Sequence, residues 1–244
     1  MAKTTPRLFV DQKLAAKAEV ALAPEQSHYL SNVLRLQPGD AASVFNAEDG
    51  EWLAHLAEAG KKKVVLRLER LTQEAVPPPD IDYLFAPLKH ARLDYLVQKA
   101  TELGARRLRP VMTARTIAER VNLERMRANV IEAAEQCNLV FVPEVSEPQS
   151  LTQALQGWDP GRALIYCDET AEIADPLAAL SKLKTPAAIV VGPEGGFTIE
   201  ERAQMKSLPF VTAVSLGPRI MRADTAAVAI LSVVQAALGD WAKR

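Results

Sequence analysis

The spacing of apolar and polar positions changes character near residue 75. Before it, apolar residues come in short runs separated by turn residues. Arg7-Leu8-Phe9-Val10 reads as a strand. Pro24-Glu25 opens a short helix, with Leu30, Val33 and Leu34 at helical spacing. Pro38-Gly39-Asp40 is a turn. Ala42–Ala47 and Glu51–Leu56 flank Glu48-Asp49-Gly50, a hairpin pattern with Asp-Gly at the reversal. Lys63–Leu68 is a further strand. Together these predict a small β-rich barrel over residues 1–74. Val76-Pro77-Pro78-Pro79 follows, and successive prolines continue neither a helix nor a strand, so residues 75–80 read as a linker.

From residue 81 to 244 the pattern alternates between the two periods. Tyr83–Ala86, Leu108–Met112, Ala163–Cys167, Ala187–Val191 and Val211–Leu216 are apolar runs of strand length. Between and after them lie helical patterns: Ala91–Leu103, Leu123–Gln136, Pro176–Leu183, Thr198–Lys206 and the apolar Ala223–Leu238. Leu93, Leu96, Val97, Ala100 and Leu103 share one side of the first helix, and Gly104 stops it. Thr198 and Glu201 have capping-box spacing. Strands alternating with helices predict an α/β layer with a mostly parallel sheet.

Composition narrows this little. Hydrophobic residues make up 48% and charged residues 24% of the 244, which excludes disordered and collagen-like classes. No run approaches the ~20 apolar residues of a membrane span. Met1–Val10 shows no secretory signal, and two cysteines, Cys137 and Cys167, make no disulfide framework, so a cytoplasmic protein is expected. The net charge is -1, but it is unevenly placed: Lys89–Arg127 holds ten basic residues and four acids. Such a zone suits a phosphate-backbone partner. It equally suits a solvated helix face with internal pairs such as Glu124 and Arg127. His28, His55 and His90 are too scattered to propose a metal site.

Two loops carry candidate chemistry. Ile189-Val190-Val191 empties into Gly192-Pro193-Glu194-Gly195-Gly196-Phe197 before the helix at Thr198. Ligands of open α/β sheets bind beyond the carboxyl ends of the strands, and glycine lets backbone approach them closely. No Lys follows these glycines and no Gly-x-Gly-x-x-Gly is present, which disfavours a P-loop or a dinucleotide site. Ser215-Leu216-Gly217-Pro218-Arg219-Ile220-Met221-Arg222-Ala223-Asp224-Thr225-Ala226 repeats the plan, and either Asp224 or Thr225 suits a helix cap. Two Gly-Pro loops after neighbouring strands predict one shared pocket.

These two segments resemble the bacterial 16S ribosomal RNA uridine N3-methyltransferases, the RsmE-like branch of the SPOUT superfamily. Gln98–Gly104, Glu135-Gln136-Cys137 and Pro143-Glu144 are also similar to that family. Arg7–Val10, and His28-Tyr29-Leu30 through Arg35 to Gly39-Asp40, resemble its small PUA-like barrel. Asp224 stands where the family usually has Glu, Met221 where it has Leu, and apolar Leu139–Phe141 follows the Glu-Gln pair where Arg is common. The resemblance implies a PUA-like β-barrel followed by a SPOUT-type α/β domain with a parallel sheet and a trefoil knot. It further implies S-adenosylmethionine as cofactor, a homodimer, and 16S rRNA or the 30S subunit as partner, with no membrane and no metal. Other SPOUT branches methylate ribose 2′-O, and a non-catalytic rRNA-binding assembly protein is the alternative from another class.

On that resemblance, Gly192, Glu194, Gly195, Gly196, Leu216, Gly217, Ile220, Met221, Thr225 and Ala226 are expected around the cofactor. Arg222 is expected to stabilise negative charge on the uracil, with Asp224 or Glu102 accepting a proton. Arg7, Arg35, Lys89, Arg92, Lys99, Arg115 and Arg219 are expected on RNA, with Lys89, Arg92 and Arg115 nearest the entrance.

Overall fold

The computed structural model describes residues 5–60, 63–89, 91–171 and 175–241. His90, one of the three histidines, therefore lies outside the described residues. There are two compact units, Met1–Pro77 with Ala134–Val142, and Pro78–Ala133 with Pro143–Arg244. Among the described residues no helix is long and apolar enough to cross a membrane.

The first unit contains β1 (Arg7–Phe9), β2 (Glu19–Ala21), α1 (Pro24–His28), β3 (Ala41–Asn46), β4 (Gly50–Ala59) and β5 (Val64–Gln73). They form a curled half-barrel in the order β1-β3-β4-β5-β2, with β1 parallel to β3 and the other pairs antiparallel. Register shifts at Glu51/Trp52, Leu53/Ala54 and Leu56/Glu58 supply the curl, since a bulge increases local twist. Leu8, Val20, Val44, Ala54, Leu66 and Leu68 fill its inside. The hairpin turn is held by the Asn46 side chain, whose oxygen accepts from the N–H groups of Glu48 and Asp49 at 3.0 and 2.6 Å. Gly50 closes it at φ +84, where an added Cβ would lie 2.3 Å from the Gln73 carbonyl oxygen. The apolar Leu139–Phe141 run belongs to this unit: Val140 and Leu139 pack with Phe9, Phe45, Ala134 and Val142.

Arg7 corrects one RNA-binding expectation. Its side chain is only 8% exposed, and Nε donates to Glu51 at 2.8 Å. Its Nη atoms donate to the carbonyls of Ala134, Glu135 and Leu139, and the guanidinium lies 3.8 Å from the Phe45 ring centre. A cation with its donors satisfied this way, at carbonyls around the C-terminal end of a helix, is structural. Arg7→Ala is expected to destabilise this unit by about 3 kcal/mol, because Glu51 is left as a nearly buried, unpaired charge. Denaturant unfolding measures it, and a loss below about 1 kcal/mol, the range of an exposed pair, would contradict it.

The second unit contains β6 (Ile81–Phe85), α2 (Ala91–Glu102), β7 (Arg107–Met112), α3 (Leu123–Gln136, its last turn counted with the first unit), β8 (Glu144–Val145), β9 (Gln149–Ser150), α4 (Leu151–Gln156), β10 (Ala163–Cys167), α5 (Pro176–Leu180), β11 (Ala187–Val191), α6 (Ile199–Lys206), β12 (Val211–Val214) and α7 (Ala223–Ala237). The parallel sheet runs β12-β10-β11-β6-β7-β8, with β9 beside β7. Every residue of β6 and β11 is buried, as expected for strands covered on both faces. The chain passes from β10 to its neighbour β11, crosses back over β10 to β12, then returns so that α7 packs on β11, α2 and α5. That doubling-back brings the segments after β10, β11 and β12 to one end of the sheet.

At the opposite end, the N-terminal edge, Asp80 and Asp82 face three arginines. Arg107 lies 2.7 Å from each carboxylate, Arg109 reaches Asp82 at 3.3 Å, and Arg162 reaches Asp80 at 3.0 Å. Burial works against the Asp80 charge, but Arg162 and then Arg107 outweigh it and hold the carboxyl below its ordinary range.

Candidate functional site

Beyond the C-terminal ends of β10, β11 and β12 lies a cavity of about 240 Å³. Three chain segments wall it: residues 166–169, 191–197 and 214–223, with Ala226 of α7 and Arg202 of α6. Each is shaped locally. After Val191, a Cβ on Gly192 would lie 2.7 Å from the Phe197 ring, so only glycine lets that ring fold back beneath it. The Gly196 N–H donates to the Pro193 carbonyl at 2.8 Å, closing the turn. Thr198 then caps α6: its hydroxyl accepts from the Glu201 N–H at 3.2 Å, and the Glu201 carboxylate accepts from the Thr198 N–H at 2.9 Å. In the other loop Gly217 turns at φ +100, and α7 starts directly after Arg222.

The two Gly-Pro loops therefore share one cavity. Gly192, Glu194, Gly196, Leu216, Gly217, Ile220, Met221 and Ala226 lie on its wall, with Arg219 and Arg222 at the same mouth. Gly195 lies just outside it, its carbonyl accepting from Arg115 Nη1 at 2.7 Å. Thr225 is exposed, and its N–H donates to Asp224 Oδ1 at 2.8 Å. Asp224 sits in the first turn of α7 and does not line the cavity.

Glu102 is not brought to this site. It ends α2, and a crossover helix returns the chain to the N-terminal edge of the sheet. Twelve helical residues place it about 18 Å along the axis from the start of α2. Its carboxylate accepts from Lys99 Nζ at 2.7 and 2.8 Å, so Lys99 is occupied there too. Arg92, expected on RNA, pairs with Glu194, and Arg115 holds Gly195, so both clamp the glycine loop. The basic zone is in large part internally matched: Arg107 and Arg109 face Asp80 and Asp82, Arg125 pairs with Asp94 at 2.6 Å, and Arg127 approaches Glu147 rather than Glu124. Lys89 and Arg120 are exposed in the second unit, and Arg35 is exposed in the first.

The loop motifs do not include the β10 side of the cavity. Tyr166 is fully buried, lines the cavity and stands edge-on to Phe197 at 5.3 Å. Its hydroxyl has no hydrogen-bond partner among the described residues, and burial pushes its pKa up. Burial pushes the Cys167 thiol up to about 12, which keeps it protonated near neutrality. Asp168 has a fully buried side chain. Arg202, Lys206 and Thr170 surround it, at 3.1 Å, 2.6 Å and, for the Thr170 N–H and hydroxyl, 3.0 and 2.8 Å. The signal for these residues was their place at the carboxyl end of a buried strand.

Burial opposes the Asp168 charge, but Lys206 and Thr170 overcome it, so the carboxyl titrates below its ordinary 3.8. A pKa lowered by folding gives stabilisation that is present above 3.8 and lost as pH falls through the lower folded value. Asp168→Asn is expected to cost about 3 kcal/mol near neutrality, and its gap from the unaltered protein to narrow in acid. Denaturant unfolding at both pH values checks this; an equal gap at both would contradict it.

Residues 76–235 match the RNA methyltransferase domain family, and residues 22–69 match the RNA methyltransferase PUA domain. Ribosomal RNA small subunit methyltransferase E of Synechocystis is 34% identical, over 95% of this chain and 78% of its own. The protein of the same name from Bacillus subtilis is 30% identical, over 93% and 95%. The crystal structure of ribosomal RNA small subunit methyltransferase E from Neisseria gonorrhoeae bound to S-adenosyl methionine superposes with a TM-score of 0.86 at 26% identity. It spans 98% of this chain and 100% of its own. A Legionella pneumophila structure in complex with the same cofactor gives 0.83 at 28% identity, over 97% and 99%.

Proposed function

The chain belongs to the RNA methyltransferase domain family, and on that premise we propose that it methylates N3 of a specific uridine in 16S rRNA of the small ribosomal subunit. It is an S-adenosylmethionine-dependent rRNA methyltransferase. The observation that carries the reading is the single cavity enclosed by the two Gly-Pro loops. The wall fits the cofactor: glycine backbone free of side chains along one side, and the buried Tyr166 hydroxyl waiting for a polar partner on the other. Gly192, Gly196, Leu216, Ile220, Met221 and Ala226 would hold it.

S-adenosylmethionine supplies a methyl group on a positively charged sulfur. The chain must do the rest: orient a uracil, take up its N3 proton and stabilise the charge left behind. Arg222 is exposed on the cavity rim at the N-terminus of α7, where the guanidinium and the helix end both favour negative charge on the uracil carbonyls. Of the two carboxylates expected to accept the proton, Asp224 stands in the first turn of α7 beside Arg222 and Glu102 at the far edge of the sheet, so the role is given to Asp224. N3 lies on the pairing edge of the base, so the uridine must be unpaired or flipped out to enter.

Lys89, Arg120 and Arg219, with Arg35 of the PUA unit, supply the phosphate contacts, because the other basic residues of the 89–127 run are in large part engaged. Replacing Lys89 and Arg120 together with Ala is expected to reduce the salt slope of RNA affinity by about 1 to 2. An unchanged slope would remove that surface. A homodimer acting in the cytoplasm completes the reading: α7 leaves apolar Ala229, Val233 and Ala236 at least partly exposed along one stripe. Sedimentation tests the dimer. Nucleoside analysis of small-subunit rRNA from cells lacking the protein tests the reaction, and loss of N3-methyluridine is the expected result. Loss of a ribose-methylated nucleoside would instead favour 2′-O chemistry.

A further inference from the structure

The glycine loop is tied to β10 through a side chain that belongs to neither Gly-Pro motif. Arg202, in the first half of α6, reaches in three directions. Nε donates to the Phe197 carbonyl at 3.3 Å, Nη1 to Asp168 Oδ1 at 3.1 Å, and Nη2 to Glu169 Oε1 at 3.0 Å. The pair with exposed Glu169 contributes little. Asp168 is different: its carboxylate is fully buried, and the N–H and hydroxyl of Thr170 both hold Oδ1, the oxygen that Arg202 meets, while Lys206 lies on Oδ2. The position of Arg202 is thereby set by β10, and the position of the Phe197 carbonyl by Arg202. The Phe197 ring in turn lies against Tyr166 and beneath Gly192, so it sets the gap between the loop and β10 that forms the cavity.

We infer that Arg202 is a positioning residue for the cofactor pocket: it holds the glycine loop at a fixed separation from β10, so that the cavity is open before a ligand arrives. The role needs arginine, because a planar fork meets the carbonyl and the carboxylate together and a point-like ammonium does not. A loop ordered in advance loses less entropy on binding. Among the described residues Lys206 contacts the same carboxylate without touching the loop, so it separates positioning from stability. The inference rests on the cavity being the S-adenosylmethionine site.

The test is calorimetric titration with S-adenosylmethionine of the unaltered protein, Arg202→Ala, Arg202→Lys and Lys206→Ala. It is paired with hydrogen exchange of the amides at 192–197 in the cofactor-free protein. Binding by the unaltered protein checks the reading of the pocket by itself. Arg202→Ala is expected to raise the Kd about tenfold and to speed exchange in the loop, with Arg202→Lys recovering part of both. Lys206→Ala is expected to lower thermal stability and keep the original Kd. Arg202→Ala with unaltered Kd and exchange would overturn the inference, as would Lys206→Ala weakening binding equally. Should Arg202→Ala not fold, Arg202→Lys carries the same comparison.

Discussion

Arg222→Ala is expected to slow methyl transfer about a hundredfold while changing the Kd for S-adenosylmethionine by no more than about twofold. The split follows from where the side chain stands. It is exposed on the rim and sits outside the helical bonds of α7, so its loss costs little folding energy. Uracil bears no net charge until N3 loses its proton, so the guanidinium interacts most strongly as the reaction proceeds. A group that acts mainly in the transition state shows its loss in kcat. Arg222→Lys keeps the charge without the fork and is expected to fall between. Single-turnover rates alongside calorimetry separate the two quantities. A normal rate in Arg222→Ala would remove the role given to this residue.

Asp82→Ala is expected to destabilise the second unit by about 3–5 kcal/mol, because it removes the buried carboxylate that three partly buried arginines share and leaves Asp80 to face Arg107 and Arg162 alone. The Asp82 side chain is 2% exposed and has Arg107 at 2.7 Å, Arg109 at 3.3 Å and Arg162 at 3.6 Å. In a unit of this size that loss corresponds to a fall in Tm of about 10 °C. The cluster lies at the edge of the sheet away from the cavity, so folded Asp82→Ala at low temperature should bind cofactor normally. Calorimetric melting measures the effect. A shift of a degree or so would mean that Asp80 alone neutralises these arginines.

That cluster also marks where sequence reading ran out. The run from Lys89 to Arg127 looks strongly basic because Asp80 and Asp82 fall just before it, although Asp82 pairs in register with Arg107 on the neighbouring strand. Charge counted along a chain does not see partners placed across a sheet. Arg7 was misread for the same reason: Glu51 lies 44 residues away and its carbonyl acceptors 127 to 132. Strands β2, β8 and β9, at two or three residues each, are too short to show a period.

What was legible had a local cause. β11 is apolar throughout because both of its faces are buried, and α6 begins where the Thr198 and Glu201 side chains close a capping box. The first Gly-Pro loop was legible because Gly192 follows directly on the buried strand β11. The sharing of one cavity by the two loops depends on β12 crossing to the far side of β10, and only the sheet order displays that. Glu102 was misplaced in the opposite sense: as part of a family-like motif it looked catalytic, but the direction of α2 carries it to the wrong edge.

The most direct test of the account is methyl transfer by the purified protein. The protein would be incubated with isotope-labelled S-adenosylmethionine and small-subunit rRNA, both free and in 30S subunits from cells lacking the protein, and the RNA digested and resolved by mass spectrometry. The label is expected in N3-methyluridine; label in a 2′-O-methylated nucleoside, or none in the RNA, would contradict the account.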